Sequence, residues 1–444
     1  MTKKTPHTNI SAEELFKYSV LFVEKYVYLM TSVFPSMIRE IKKIAPNVDK
    51  FIYWEGEISE CPLCGGEVKK NGTPGRLLNK NEKIYLQRYK CKTPGCKYDH
   101  VTNIDHIVPK CSNYETELRY EPIKQQEIGY LSLEKNSEMI ESKYHAKPTR
   151  STILNLLDNE GEKHLKKCEE SMKYDDSELS GVFAIDEQFP RVNGKEKARI
   201  VLMDPHTNII IDEMTVPSEK LNIDVKRKFI TKNLKDKVVK GIVSDSDKAY
   251  LTIFEENGYL HQRCNFHLMQ NLMDDLIKPI NRLKRQIKSK NRKIEEIQIK
   301  LPSFKYKKSR KNNEKKLKKL RSEIRQHKKE LKELLSYKER ISNIFKQEDP
   351  KKAKMRFQIL YNNRDNLPPA VATFIKRLAK NFDKAINHMR YDFLPRTNNQ
   401  LECYNGVSLP DNQKRKYRTD RGLNRAITLG RKRWMDRNRK KLTA

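Results

Sequence analysis

The chain has 444 residues, enough for two or more domains, and carries 92 Lys and Arg against 58 Asp and Glu, a formal net charge of +34. That excess points to a polyanionic partner, most simply nucleic acid, and no run of about 18 apolar residues exists to span a membrane. The opening MTKKTPHTNISAEELF has a charged start but no apolar core after it, so no secretory leader is expected; eight unevenly spaced cysteines argue for a reducing, cytoplasmic setting rather than a disulfide framework.

Residues 11–45 read as helical, because Phe16, Val20, Val23, Val27 and Met30 recur at steps of three and four. Pro35 is expected to end or kink that helix, within an N-terminal helical region spanning 1–50. Residues 51–112 change character, with Cys61-Pro-Leu-Cys64-Gly-Gly and Cys91-Lys-Thr-Pro-Gly-Cys96 as two cysteine pairs. Two thiolates on a tight turn, with glycines that let amides face sulfur, form a metal knuckle. Four thiolates suit one structural, tetrahedral Zn²⁺, so Cys61, Cys64, Cys91 and Cys96 are the expected ligands of a zinc ribbon. The second arm is wider than usual, which leaves His100 or Cys111 as substitute ligands. Residues 113–175 return to helix, with two patterns separated by YHAKP and Thr149 or Ser151 as N-cap of the second. This is the expected helix-turn-helix-like DNA-binding region.

From residue 181 the pattern switches to strands: GVFAIDEQ, ARIVLMD and NIIIDEMTV, separated by NGK and PHTN turns. A helical stretch over 218–234, the strand KGIVSD, a helix from Lys248 to Glu256, the strand YLHQRC and a helix from Phe266 follow. A three-strand meander followed by helix–strand–helix–strand is the order of a ribonuclease H-like α/β domain, with its first part over 176–277 and its second over 347–444. Between them, Ile280, Ile287, Ile294 and Leu301 recur every seven, as do Leu317, Ile324 and Leu331, with Leu320, Leu334 and Ile341 on the other seam. Residues 278–346 are thus expected to form a coiled-coil hairpin. It holds 26 Lys and Arg against 7 Asp and Glu, a net charge of +19, which favours a phosphate-tracking surface. Its removal between residues 281 and 343 is expected to leave the flanking domain folded. The whole reads as multidomain α/β: a ribonuclease H-like catalytic domain interrupted by this insertion and preceded by a zinc ribbon and a helical domain.

Asp186 follows the apolar core of a strand, where an unpaired acid is costly. Asp245 ends the strand KGIVSD, at the carboxyl end where α/β sheets place ligands. In this fold the two strands are neighbours, so two carboxylates lie side by side and a divalent cation resolves their repulsion. Glu402, in RTNNQLECYNG, sits among amides without a basic partner and would be the third acid. Oxygen ligands with open positions suit Mg²⁺ or Mn²⁺. Asp247 competes with Asp245 for the second position. Asp245 also suits the N-cap of the helix that starts near Asp247.

These three acids around a helical insertion resemble the DDE transposases of the Mutator-like group and related prokaryotic insertion sequences. RCNFHLMQNL resembles that group's Cys-x-x-His signature at Cys264 and His267, and TNNQLECYNG its Asn-x-x-Glu motif at Asn399 and Glu402. The resemblance covers about residues 180–440 and implies DNA cleavage and strand transfer with two Mg²⁺ (or Mn²⁺) per active site, held by Asp186, Asp245 and Glu402. Cys264, His267 and Asn399 would shape the edge of the site. A basic tail over 411–441, including Lys414, Arg415, Lys416, Arg418 and Arg421, would grip the DNA backbone. The resemblance further implies double-stranded DNA (transposon ends and target) as partner, a dimer or larger synaptic assembly, and a nucleoid-associated location. Two other classes share these features: a ribonuclease H-like nuclease without strand transfer, and a domesticated, non-catalytic DNA-binding protein.

Overall fold

The computed structural model describes residues 20–23, 26–33, 35–44, 46–79, 82–129, 131–303 and 305–440. It is mixed α/β and multidomain, and divides into two compact units between Ser171 and Met172.

The first unit opens with β1 (Val20–Val23), β2 (Tyr26–Met30), α1 (Pro35–Ile44) and β3 (Lys50–Trp54). Then come β4 (Val68–Lys70), β5 (Gly75–Leu78), β6 (Glu82–Leu86), β7 (Arg88–Cys91) and β8 (Asp99–Val101). Three helices close it: α2 (Thr116–Ile128), α3 (Leu133–Tyr144) and α4 (Arg150–Ser171). The helical expectation for residues 11–45 holds over Pro35–Ile44 but is overturned at residues 20–23 and 26–30, which are strands; residues 11–19 lie outside the described residues. In β2 Val27 and Leu29 are buried while Tyr26, Tyr28 and Met30 are not, a period of two that the three-four spacing of Val20, Val23, Val27 and Met30 concealed. Pro35 starts a helix instead of ending one, a position where its missing N–H costs nothing.

Residues 51–112 are shared between two sheets. Strands β3, β6 and β5 complete a five-stranded sheet ordered β1-β2-β3-β6-β5, whereas β4, β7 and β8 form a separate antiparallel sheet. Helix α1 buries Ile38 and Ile41 against Val27, Leu29, Phe51 and Tyr53 on one face of the larger sheet. The last three helices share a core that includes Leu118, Ile140, Ile153 and Leu157. Thr149 accepts a hydrogen bond from the Thr152 backbone N–H at 3.2 Å and so caps α4.

The second unit contains β9 (Val182–Gln188), β10 (Arg191–Val192), β11 (Lys195–Asp204), β12 (Ile209–Pro217), α5 (Ile223–Leu234), β13 (Gly241–Ser244), α6 (Lys248–Glu256) and β14 (His261–Arg263). Strands β9, β11 and β12 form an antiparallel meander; β13 adds parallel to β9, and β14 parallel to β13. The resulting order is β12-β11-β9-β13-β14, with β10 pairing the start of β11. The central strands carry buried apolar runs: Val182 to Ile185 and Ile200 to Met203 are shielded from water.

Next come α7 (Asn265–Lys300), α8 (Lys307–Phe345), α9 (Pro350–Asn362), α10 (Pro369–Ala379) and α11 (Phe382–Ala385). The chain then returns through α12 (Asn399–Ser408) and α13 (Asp420–Asn438). Helices α7 and α8 form one antiparallel hairpin, and every heptad residue expected at its seam is buried or partly buried in one of two clusters. The outer cluster holds Ile294, Leu317 and Ile324. The inner one joins Leu283, Leu334, Tyr337 and Ile341 to Phe357, Val371, Phe374 and Phe382 of the following helices. The base of the hairpin is therefore part of the core of the second unit, and removal of residues 281–343 would strip that core.

The cut has to fall between the clusters. Deleting residues 287–328 and closing with a short Gly/Ser linker should shift the thermal midpoint by only a few degrees, while deleting 281–343 should cost several buried large-to-nothing truncations and unfold the second unit. Thermal scans of both proteins check this; equal midpoints would show that the inner cluster is dispensable.

Candidate active site

Strand pairing brings the first two acids together. Val243 of β13 sits opposite Ala184 of β9, and just beyond this pair Asp245 is close enough for its charge to act on Asp186. Burial first, and then the charges of Asp245, Glu187 and Glu402, push the Asp186 carboxyl up to about 8. Asp245 and Glu402 are also raised, each chiefly by burial. Glu402 lies in the first turn of α12, and its buried Oε1 has no hydrogen-bond partner among the described residues. Three partly ionisable acids with this little compensation fit a divalent cation, which supplies the missing positive charge.

Asp247 has a different environment. Its carboxylate accepts from the Ala249 backbone N–H at 2.8 Å, capping α6, and pairs with Lys226 Nζ at 2.5 Å. Lys226 also pairs with Glu187, which accepts from the Tyr250 hydroxyl at 2.6 Å. Asp247 is thus fully employed by a cation and a helix end, and its pKa is lowered. The N-cap role open to Asp245 belongs to Asp247.

Helix α12 is fastened to the sheet by residues that sequence reasoning missed. Asn405 donates to Asp186 Oδ2 at 3.2 Å, and Gln188 donates to the carbonyls of Asn405 and Leu409, each at 3.0 Å. Arg199, on β11, is completely buried. It donates to Glu213 Oε2 at 2.5 Å, the Tyr404 hydroxyl at 2.9 Å, Gln188 Oε1 at 2.9 Å and Ser408 Oγ at 3.0 Å. On the far side, a Cβ at Gly430 of α13 would come within 2.6 Å of the Ser408 carbonyl, so α13 seats α12 only with glycine there. The amides of RTNNQLECYNG were the visible signal for Asn405; nothing local marked Arg199.

The edge residues divide. Cys264 is the N-cap residue of α7 and donates from Sγ to Asn398 Oδ1 at 2.8 Å, while His267 Nδ1 faces Glu402 Oε1 at 3.7 Å. The ligand atoms of Cys264, His267 and Glu402 all lie within 4.8 Å of one another. Glu402 therefore does have an imidazole neighbour. Asn399 is exposed, and its buried neighbour Asn398 makes the link to Cys264. Arg263, at the end of β14, is a further buried cation near Asp245; burial draws its guanidinium down to about 10, and its Nε and Nη1 have no partner among the described residues.

In the first unit, the Sγ atoms of Cys61, Cys64, Cys91 and Cys96 lie within 4.8 Å of one another, with Cys61–Cys96 at 3.7 Å and Cys64–Cys91 at 3.5 Å. Tetrahedral zinc at the usual Zn–S distance of about 2.3 Å requires sulfurs about 3.8 Å apart. Backbone N–H groups of Leu63 and Thr93 point at Cys61 and Cys91 sulfur at 3.4 and 3.3 Å, and Gly65 and Gly95 take the positive φ that these turns need. The donor set fits Zn²⁺. His100 instead bonds Glu55 at 2.8 Å, and Cys111 is exposed outside the cluster.

The expected basic tail is not a tail. Residues 410–419 form a loop bonded to β10, with Arg191 and Asn193 donating to the carbonyls of Lys414 and Tyr417 at 2.6 and 2.9 Å. Helix α13 follows, with Leu423, Ile427 and Trp434 buried. Arg415, Lys416, Arg418 and Arg421 are exposed along this segment; Lys414 is half-buried and pairs with Asp411 at 2.6 Å. Lys441 lies outside the described residues.

A family model of ISL3 type, described as Transposase, matches residues 184–408, from β9 through all three acids to the end of α12. It is a different family from the Mutator-like group and agrees with the insertion-sequence half of the motif resemblance. The chain is also 26% identical over 388 residues to the "Insertion element ISM1 uncharacterized 48.3 kDa protein" of Methanobrevibacter smithii, covering 85% of this chain and 83% of that one. No helix among the described residues is long and apolar enough to cross a membrane.

Two outcomes are expected from these sites. Asp186 binds its proton more tightly when folded, so its contribution to stability is full below about pH 4 and is lost as pH rises toward about 8. The metal-free protein should lose stability across that window, Mg²⁺ should raise the thermal midpoint more at high pH than at low pH, and Asp186→Asn should flatten both trends. Metal analysis should find about one Zn²⁺ per chain, lost in Cys61→Ser and in Cys91→Ser; unchanged zinc in both variants would remove the thiol site.

Proposed function

The chain belongs to the ISL3-type transposase family, and from that premise we propose that it binds transposon ends and cuts and joins DNA with Asp186, Asp245 and Glu402 as a DDE triad. The observation that carries this reading is that the acids from β9, the end of β13 and α12 are all raised by burial and none forms an ion pair with a Lys or Arg among the described residues, whereas the nearby Glu187 and Asp247 share Lys226. The strand order β12-β11-β9-β13-β14 supports a ribonuclease H-like catalytic core.

Asp186, Asp245 and Glu402 would hold Mg²⁺ or Mn²⁺, which when bound supplies Lewis-acid activation of the attacking oxygen and neutralises charge at the scissile phosphate. The protein's own part is positioning. Asn405 orients the Asp186 carboxylate through its 3.2 Å hydrogen bond, and the Arg199 network holds the helix that bears Glu402. Arg263 offers unpaired donors beside Asp245, suited to a phosphate oxygen. The Cys264–Asn398 contact ties the start of α7 to the start of α12 and so fixes the edge from which His267 faces Glu402.

Residues 61–101, with one structural Zn²⁺, and the three helices α2 to α4 would recognise the ends. The coiled-coil hairpin, with its net charge of +19, and the exposed cations Arg415, Lys416, Arg418 and Arg421 would contact the DNA backbone. A dimer or larger assembly would bring two ends together. A nuclease without strand transfer uses the same acids, and a non-catalytic descendant would tolerate their loss, so one set of variants separates all three.

Asp186→Asn, Asp245→Asn and Glu402→Gln preserve shape and remove charge. Each should slow both cleavage and joining of an oligonucleotide bearing the element's terminal sequence by about a thousandfold or more, with binding retained. Asp247→Asn should be milder, with its main effect on thermal stability. Cleavage without joining by the unmodified protein would favour the nuclease, and three fully active variants would sink the triad.

A further inference from the structure

The face of the five-stranded sheet turned away from α1 has no role in the chemistry above. Register places Tyr26, Tyr28 and Met30 of β2 beside Lys50, Ile52 and Trp54 of β3, with Tyr85 of β6 opposite Ile52. Ile52 is buried beneath them, while Tyr28, Trp54 and Tyr85 are half-buried and Tyr26 is 38% exposed. Tyr28 and Trp54 meet edge to face with centroids 5.4 Å apart. Lysines lie over these rings: Lys70 Nζ is 5.0 Å from Trp54 and 5.5 Å from Tyr28, Lys50 Nζ is 5.1 Å from Tyr85 and 5.6 Å from Tyr26, and Lys83 Nζ is 5.4 Å from Tyr85.

We propose that this face is a stacking platform for single-stranded DNA. Four rings on one sheet face offer flat apolar surface at intervals of about 5–7 Å, the spacing between strands and between alternate residues. Every unpaired base can stack on such rings whatever its identity. In duplex DNA the base faces are already occupied by their neighbours, so the platform selects unpaired strands. The lysines match the rest of a strand: an ammonium over an exposed ring is a weak contact, and a base that displaces it leaves the charge free for the adjacent phosphate. An acidic peptide would satisfy the lysines but has no use for four rings on one sheet face. The choice of DNA over RNA rests on the transposase reading; the choice of an unpaired strand rests on this face alone.

The chain has two tryptophans, Trp54 on this face and Trp434 buried in α13, so intrinsic fluorescence reports the platform directly. The full chain is titrated with oligothymidylate of roughly 20 nucleotides, a duplex of equal length and oligouridylate at one salt concentration. Oligothymidylate should quench the emission of Trp54, and Trp54→Phe should lose that quench while keeping affinity. Tyr26→Ala and Tyr85→Ala should each weaken oligothymidylate binding about tenfold, with duplex affinity held within about twofold. Zinc content and circular dichroism verify that the variants fold. No quench, equal losses for single strand and duplex, or a preference of more than about tenfold for oligouridylate would overturn the proposal. Asp186→Asn titrated in parallel separates the readings: it should keep the quench while losing cleavage.

Discussion

The second unit depends on one buried cation. Arg199 has no exposed surface, and a guanidinium in that position is tolerable only if each of its donors meets an acceptor. The acceptors come from four places: Glu213 on β12, Gln188 on β9, and Tyr404 and Ser408 on α12. Two of these elements, β9 and β12, flank β11 in the meander, but α12 is about 200 residues further along the chain. Loss of Tyr404 or Ser408 would leave a buried guanidinium donor without its acceptor, at a cost on the order of 1–3 kcal/mol. That cost is what makes the docking of α12 specific. It places Glu402 at the sheet end without requiring the acid itself to make a favourable contact with the other acids.

The same logic separates carboxylates that have a lysine partner from those that have none. Lys226 is buried between Glu187 and Asp247, and Tyr250 and the start of α6 satisfy the remaining lone pairs. These two acids share one buried ammonium, which lowers Asp247 while burial still raises Glu187. Asp186, Asp245 and Glu402 receive an amide from Asn405, a backbone N–H from Asp247 and the edge of His267, none of which fully cancels their charge. Their raised pKa values express an electrostatic demand built into the fold, one that is costly to the empty protein and favourable to a cation. Stability is given up at the site and recovered in the meander, whose apolar strands are buried on both faces.

The first unit solves a different problem. Its small antiparallel sheet, with Cys61, Val68, Tyr89 and Cys91 as its buried cluster, has too little apolar area to persist alone. Interleaving its strands with those of the larger sheet, and drawing four thiols to one point, replaces apolar area with connectivity.

Features set by neighbours along the chain were legible in the sequence. The meander and the two strands after it, the acids at the strand ends, the heptads of the hairpin and the paired cysteines are all short-range patterns. They appear in the structure at the positions read, because burial on a strand or helix face imposes its own period. Short range also misled. Val20, Val23, Val27 and Met30 fit a helical step as well as a strand's, and a sheet partner at Phe51 and Tyr53 settled the matter in favour of strand. The basic C-terminal segment read as a tail that grips DNA because charge dominates its composition; Leu423, Ile427 and Trp434 nonetheless bury one side of it. What only tertiary structure decided is the set of contacts across long loops: Arg199 with Ser408, Asn405 with Asp186, Cys264 with Asn398, and the hairpin base with α9 to α11. No local period encodes such pairs. The closure of a long loop costs much the same entropy at any register, so the choice falls to the burial and hydrogen bonds that only the assembled core provides.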